Sequence, residues 1–393
     1  MVTTIPQLPF RQTSPLEIAP ELRGLQRGTV HRVRTPVGDE AWLVIDYALV
    51  RRLLDDDRLG RAHPDPDNAP RIAESVLLGM PLANFETEAA DHAQMRTILQ
   101  PLFSPKHLLA LQPRVDALTA GLLDELESQG PPADLHSQLA VPLPILLICE
   151  LLGVPYSDRD QFRAWTEDVG SVSDRARSEA GMAELFGYSM KLAQHKRANP
   201  EDDVLSRLCA TEGLDDMWAT VLTMALIFAG HETTVVQIGL GTLMLLANRD
   251  QWQALQDQPE RIPKAVEELL RAATLVGTMG GLPRYARTDL DIDGVSIHAG
   301  DLVLLDIGSA NYDPAVFTDP ERLDIARKET AHLAFGFGPH YCVGAALARM
   351  ELTTVFTQLI QRFPSMHLTC DPATLPVRDD ALTGGLAELP VSW

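Results

Sequence analysis

Cysteine is scarce in this chain. Four residues (Cys149, Cys209, Cys342 and Cys370) stand far apart in 393, without the spacing of a disulfide framework or a zinc site, which fits a reducing compartment. Aromatic residues make up only 6%. Positive charge is short as well. Against 54 Asp and Glu there are 33 Lys and Arg, and the net charge of −21 argues against nucleic acid and anionic membranes as partners. No stretch approaches the ~20 apolar residues of a membrane span. Met1 to Phe10 has no apolar run and no signal-peptide pattern, so a cytoplasmic protein without a membrane anchor is expected. No internal repeat or low-complexity tract occurs. What the chain has in quantity is apolar side chains, at 45%. Many are Ala and Leu, which leans towards helix. Length alone would allow two or three average domains.

The cysteine in an unusual setting is Cys342, within Phe335-Gly336-Phe337-Gly338-Pro339-His340-Tyr341-Cys342-Val343-Gly344. Leu347, Ala348, Leu352, Val355, Phe356 and Leu359 recur at helical spacing behind it and predict a helix from about Ala345 to Arg362. Cys342 therefore precedes a helix start, where unpaired N–H groups and the positive dipole end favour thiolate over thiol. Gly336, Gly338 and Gly344 allow a tight turn and a close backbone approach to something flat or bulky. The loop has no Lys-Ser/Thr of a nucleotide P-loop and no strand–turn–helix context for a dinucleotide fingerprint. Zinc would need three or four ligands, and only His340 lies nearby. On these residues alone, a buried structural thiol and a cysteine nucleophile with an unplaced base both stay open.

The same stretch is similar, residue for residue, to the haem-binding loop Phe-Gly-x-Gly-x-His-x-Cys-x-Gly of the cytochrome P-450 family, followed by that family's Ala-Leu-Ala-Arg at Ala346 to Arg349. The resemblance implies haem b in a cradle that includes Phe335, Gly336, His340 and Gly344, its iron held by Cys342 as thiolate. Thiolate ligation pushes electron density onto the iron and favours O–O cleavage. Further motifs follow the family's order. His92 and Arg96, at i and i+4 on one helix face, resemble the His-x-x-x-Arg that reaches the haem propionates. Arg284, in Arg284-Tyr285-Ala286, resembles the Arg-x-Ala strand whose arginine binds a propionate. Ala229-Gly230-His231-Glu232-Thr233 resembles the oxygen-site motif and gives Glu232 and Thr233 the proton-delivery role.

That motif lies in the longest predicted helix, Asp215 to Asn248, roughly 50 Å at 1.5 Å per residue. Its middle, Met224 to Gly230, is apolar all round and should cross the core. Leu226, Ala229, Gly230, Thr233 and Gln237 are read as one stripe, with Ala229 and Gly230 leaving room beside it. The Thr233 hydroxyl can bond the carbonyl one turn back and loosen the helix there, and a bulge of one turn would offer space for O2 and water. Glu268-Leu269-Leu270-Arg271 resembles the family's Glu-x-x-Arg. Arg322, in Pro320-Glu321-Arg322-Leu323, matches the position of the third partner, although Leu323 stands where an aromatic is usual.

Other helices are expected at about 21–26, 48–54, 108–126, 139–152, 160–169, 180–198 and 263–273. Strands are expected at about 30–35, 41–45, 282–286, 302–307, 366–370 and 387–393, with a hairpin at 291–299. The resemblance covers about Val30 to the end. It implies a mainly α cytochrome P-450 fold: one domain over 1–393, a long central helix, haem between helices and a small β subdomain from about 30–45 and 284–307. Pocket walls are expected from Pro70 to Ala90, the lid helices at 160–198, the Leu226 to Thr233 face, Val276 to Leu282 and the tip near Leu382-Thr383. Small residues there (Gly277, Gly280, Gly281, Ala225, Ala229) suggest a roomy apolar pocket.

The implied activity is a haem-thiolate monooxygenase that hydroxylates or epoxidises a small apolar substrate, most similar to soluble actinobacterial members that tailor macrolide, polyene or terpenoid metabolites. No flavin or iron–sulfur motif lies in the chain, so electrons from NAD(P)H are expected to arrive through a ferredoxin reductase and a ferredoxin docking on the Cys342 side, with Arg349 a candidate contact. A monomer is expected. An oxidative cyclase or peroxygenase on the same haem, a non-catalytic haem-thiolate ligand-binding protein, and a cysteine hydrolase or zinc protein are the other classes. The Glu232-Thr233 pair argues against pure ligand binding, which needs no proton delivery.

Overall fold

The computed structural model describes residues 5–25, 27–273 and 280–393. In chain order its helices are α1 (Pro20–Gly24), α2 (Tyr47–Leu54), α3 (Glu88–Leu99), α4 (Pro105–Gln129), α5 (Pro142–Leu152), α6 (Arg159–Val169), α7 (Arg175–Ala198), α8 (Val204–Cys209), α9 (Asp216–Ala247), α10 (Arg249–Asp257), α11 (Ile262–Ala272), α12 (Ile307–Ala310) and α13 (Ala345–Arg362). Strands are β1 (Val30–Arg34), β2 (Glu40–Val44), β3 (Leu59–Gly60), β4 (Ala133–Asp134), β5 (Leu282–Ala286), β6 (Leu290–Ile292), β7 (Val295–Ile297), β8 (Leu302–Leu305), β9 (His367–Leu368) and β10 (Pro390–Ser392). The helix at 345–362 and the long helix fall where the sequence places them. Gln26 and residues 276–279 of the expected pocket wall lie outside the described residues.

Helix α9 starts where the Asp215 carboxylate accepts from the Trp218 N–H at 2.8 Å, an N-cap that satisfies one orphan donor. By length and hydropathy it could cross a membrane, but it packs among α5, α7 and α13, which accounts for an apolar surface all round. The helix is continuous α-helix through Ala229 to Thr233, so the expected bulge is absent. At Gly241 a Cβ would come within 2.7 Å of the Phe356 ring on α13. That glycine is what lets the cysteine-bearing end of the chain lie against the core helix.

A five-stranded sheet, ordered β1-β2-β8-β5-β3, forms the small β part, with β2 and β8 parallel and its other pairs antiparallel. Successive residues of its strands serve opposite faces, as a period of two requires. Val44, Val303 and Leu305 join one apolar cluster, while Leu43, Leu302 and Leu304 join another. β4, β10 and β9 form a second small sheet.

One core acid stands out. Glu351 on α13 is buried and one of its carboxyl oxygens has no partner. Burial raises its pKa from 4.5 to about 8. Its folded pKa exceeds the unfolded value, so between 4.5 and 8 the folded state binds the extra proton and stability falls as pH rises. Glu351→Gln is therefore expected to gain stability relative to wild type at pH 9 but not at pH 4.5. Urea midpoints at the two pH values check this, and equal differences would refute it.

Candidate functional site

The cysteine loop is folded by its glycines. The Gly336 N–H donates to the Leu333 carbonyl at 2.7 Å, and the Cys342 N–H to the Phe335 carbonyl at 2.8 Å. Gly336 and Gly338 adopt φ of 72° and 67°, which L-residues rarely take. Gly344 has φ −87° and caps α13, with its missing Cβ 3.9 Å from the Cys342 sulfur. Cys342 presents accessible surface yet lies deep in the protein, as a residue at the floor of an internal cleft does. Burial pushes its thiol pKa up, against the Gly344 N–H, Arg96 and Arg349, which pull it down. The helix-start effect is present but does not outweigh burial.

Around this floor the fold gathers arginines and histidines. The rings of His92 (α3) and His340 lie 4.0 Å apart between centroids. Arg96, one turn along α3, donates to the Tyr341 carbonyl at 2.7 Å. Arg284 of β5 is buried and donates to the neighbouring Pro283 carbonyl at 2.8 Å. Burial and Arg61 bring its pKa down to about 10. Burial, Arg284, His92, Arg61 and Arg96 bring His340 down to about 3. Glu88 is the nearest counter-charge, but its carboxylate already serves Arg287 at 3.1 Å and the Arg61 and Ala62 N–H groups. Buried positive charge without matching acid is costly, and the cluster suits a ligand bearing carboxylates. Arg61 is not legible in sequence: it directly follows β3, a strand of only two residues.

On the opposite wall stands α9. Val221, Ala225, Ala229 and Thr233 form its accessible stripe. Leu226 is buried in the core, off that stripe, and the space at Gly230 is taken by Ile148 of α5, 2.9 Å from where a Cβ would sit. Of the two residues expected to leave room at the oxygen site, Gly230 therefore serves packing while Ala229 faces the open side. The Thr233 hydroxyl donates to the Ala229 carbonyl at 2.7 Å, as its spacing predicts. Glu232 is buried. Its carboxylate accepts from Arg378 at 3.0 Å and from the Thr383 hydroxyl at 3.2 Å, with His231 Nδ1 at 3.9 Å. Arg378 has no local sequence signal.

Two cavities adjoin these residues. One of about 260 Å³ is lined by Thr233, Gln237, Ile72, Leu282, Leu382 and Thr383. The other, about 530 Å³, is lined by His92, His340, Leu82, Phe186, Ala225 and Phe228. The 70–90 segment, the lid helices and the 382–383 tip all contribute, as expected. Gly280 and Gly281 do not add room: a Cβ would meet Leu8 at 2.6 Å in the first and the Leu305 backbone at 2.4 Å in the second.

The buried ion cluster differs from the sequence reading in one member. Glu268 holds Arg271 in a bidentate pair at 2.8 and 2.9 Å, but its other basic partner is Arg327 at 2.9 Å. Arg322 is exposed and contributes its carbonyl, which accepts from Arg327 at 2.9 Å. Arg349 is also engaged: it pairs with Glu267 at 2.6 Å and stacks over the Phe335 ring at 4.5 Å.

Comparison with known proteins now bears on this arrangement. A family model described as Cytochrome P450 matches residues 262–376. Pentalenolactone synthase of Streptomyces exfoliatus is 39% identical, over 99% of both chains. The chain belongs to the cytochrome P450 family. Mycinamicin IV hydroxylase/epoxidase of Micromonospora griseorubida is 36% identical over 98% of each chain. Among solved structures, substrate-free P450 PimD, a polyene macrolide antibiotic pimaricin epoxidase, superposes with a TM-score of 0.89 at 39% identity over 100% of both chains. The protein is thus a P450 monooxygenase similar to actinobacterial P450s of secondary metabolism, and the family implies haem, O2 and electrons from a redox partner.

Proposed function

We propose that this P450 inserts one oxygen atom of O2 into an apolar macrolide-, polyene- or terpenoid-like metabolite, by hydroxylation or epoxidation. The observation that carries the reading is the gathering of Arg284, Arg96 and Arg61, with the imidazoles of His92 and His340, beside Cys342, where the nearest acid, Glu88, is already engaged by Arg287. Haem b fits that cluster. Cys342 would bind the iron as thiolate, and the arginines, with the imidazoles as hydrogen-bond donors, would take the two carboxylates. Phe335, Gly336 and Gly344 shape the loop beneath, and Ala229 and Gly230 belong to the helix above. When bound, the group activates O2 with two electrons and two protons and delivers one oxygen atom to the substrate.

The chain's own residues do the rest. Glu232 supplies a proton-exchanging carboxylate behind Thr383, which lines the cavity. Thr233 presents a hydroxyl anchored on the Ala229 carbonyl and can pass hydrogen bonds to water in the cavity. Apolar walls of Leu82, Phe186, Ala225 and Phe228 exclude bulk water and select an apolar substrate. Similarity to pentalenolactone synthase, the mycinamicin enzyme and PimD supports the substrate class. Electrons would come from NAD(P)H through a ferredoxin reductase and a ferredoxin at the Cys342 face, in the cytoplasm, to a monomer.

The test is turnover with NADPH, ferredoxin reductase, ferredoxin and ¹⁸O2 on a panel of macrolide, polyene and terpenoid precursors. One ¹⁸O per product molecule is expected. Products lacking label, or label only from peroxide with no need for a donor, would favour the cyclase or peroxygenase alternative. The carboxylate-holding role has its own check. Arg284→Ala removes a charge-assisted contact of about 1.5–3 kcal/mol, so haem should bind roughly 10- to 150-fold more weakly. The rate of haem loss to an apo-globin acceptor measures this, and an unchanged rate would refute the assignment.

A further inference from the structure

The chain from Arg378 to Gly385 touches two places that the mechanism keeps separate. At one end it meets the turn between α6 and α7. The Asp380 carboxylate accepts from the Val172 N–H (3.0 Å), the Ser173 N–H (2.9 Å), the Ser173 hydroxyl (2.7 Å) and the Ser171 hydroxyl (2.9 Å), with Arg177 at 3.4 Å. The Leu382 N–H adds a bond to the Gly170 carbonyl at 3.0 Å. One carboxylate thus ties down every residue of the turn from 171 to 173. Burial pulls the Asp380 pKa up, but the Ser173, Ser171 and Val172 donors outweigh it and hold the carboxyl below its ordinary value. It stays ionised and able to grip.

At the other end the same segment holds the proton-delivery acid. Arg378 and Thr383 donate to one oxygen of Glu232. One residue separates Arg378 from Asp380, and two separate Asp380 from Thr383. Little slack exists between them. The Arg378 N–H is bonded to the Gly385 carbonyl at 2.9 Å and the Gly384 N–H to the Ala381 carbonyl at 3.0 Å, and Val377 bridges Leu386. Gly385, at φ 97°, presses on Val236, one turn along α9 from Glu232, where a Cβ would meet it at 2.9 Å. A loop closed on itself, clamped to the lid turn and seated on α9 moves as a unit.

We propose that Asp380 is a positioning residue that transmits the docking of the α6–α7 turn to Glu232, so that proton delivery is geared to a docked lid. With the turn bound to Asp380, Arg378 and Thr383 fix the Glu232 carboxylate in one orientation. With the turn released, that hold loosens and the acid loses its register with Thr233. The inference rests on the proton-delivery reading of Glu232 given above.

The test needs no identified substrate. During NADH-driven turnover of the holoenzyme with ferredoxin and its reductase, O2 takes two electrons and two protons to hydrogen peroxide, or four of each to two waters. Ordered proton delivery favours water. Asp380→Ala should lower the water-to-peroxide ratio by about 2- to 30-fold, the range of a coupling of this kind. Asp380→Asn, which keeps one accepting oxygen, should fall between. In a Glu232→Gln background, Asp380→Ala should change the ratio no further, because Asp380 acts through that carboxylate. Additive losses in the double variant, or an unchanged ratio in Asp380→Ala where Glu232→Gln lowers it, would overturn the coupling. An unchanged ratio in Glu232→Gln itself would instead remove the proton-delivery reading beneath it.

Discussion

Arg327→Ala is expected to lose about 3–5 kcal/mol of stability, while Arg322→Ala stays within about 0.5 kcal/mol of wild type. The two arginines lie five residues apart in the same Pro- and Asp-rich stretch, yet their surroundings differ completely. The Arg327 side chain is only 4% exposed and that of Glu268 3%. Glu268 accepts from Arg271, from Arg327 and from the Asp324 N–H at 3.0 Å. Removing Arg327 strips one of two cations from a buried carboxylate and also leaves the Thr318 and Arg322 carbonyls without the donor that Arg327 supplies. An uncompensated buried charge is the expensive outcome, more than any net worth of the intact pair. Against a total stability of about 5–15 kcal/mol, the loss is severe. The urea midpoint at constant m reads it. Equal midpoints for the two variants, or a larger loss at Arg322, would refute this placement of the ion cluster.

The second large effect is on catalysis. Glu232→Gln keeps the shape of the side chain and its contact with Arg378 and Thr383, but it cannot exchange a proton. General acid–base groups contribute typically 10²–10⁴-fold, so product formation with a turnover-competent substrate should fall by about that factor. The spectral shift on substrate binding should stay within about twofold, since Glu232 is buried behind Thr383 rather than lining either cavity. Oxygen consumption should continue with peroxide as its product. A variant that turns over at the wild-type rate would take Glu232 out of the proton path and leave Thr233 and cavity water to carry it.

Where local chemistry decides, the sequence was readable. Helix α13 runs from Ala345 to Arg362 as its apolar spacing requires, and α9 is bounded by Asp215 and Asn248 as expected. The Thr233-to-Ala229 bond follows from an i to i−4 spacing that any helix imposes. Where tertiary contact decides, the reading slipped. A choice between Arg322 and Arg327 depends on which one an irregular chain turns inward, and no periodicity encodes that. Gly230 read as open space, but α5 supplies Ile148 to fill it. A stripe assigned through Leu226 is rotated by one residue, to Ala225, because α9 is enclosed on most sides and an apolar sequence does not mark which side faces a cavity. Arg61, Arg378 and Asp380 reach the site or its lid from short or irregular segments distant in sequence from their partners.

The most direct test of the account is the absorption spectrum of the dithionite-reduced protein with carbon monoxide, taken beside that of Cys342→Ser. The result expected is a red-shifted, thiolate-type Soret band in the wild type and its loss in the variant. A histidine-type band in the wild type, or a thiolate-type band that survives in Cys342→Ser, would contradict haem ligation by Cys342 and with it the proposed chemistry.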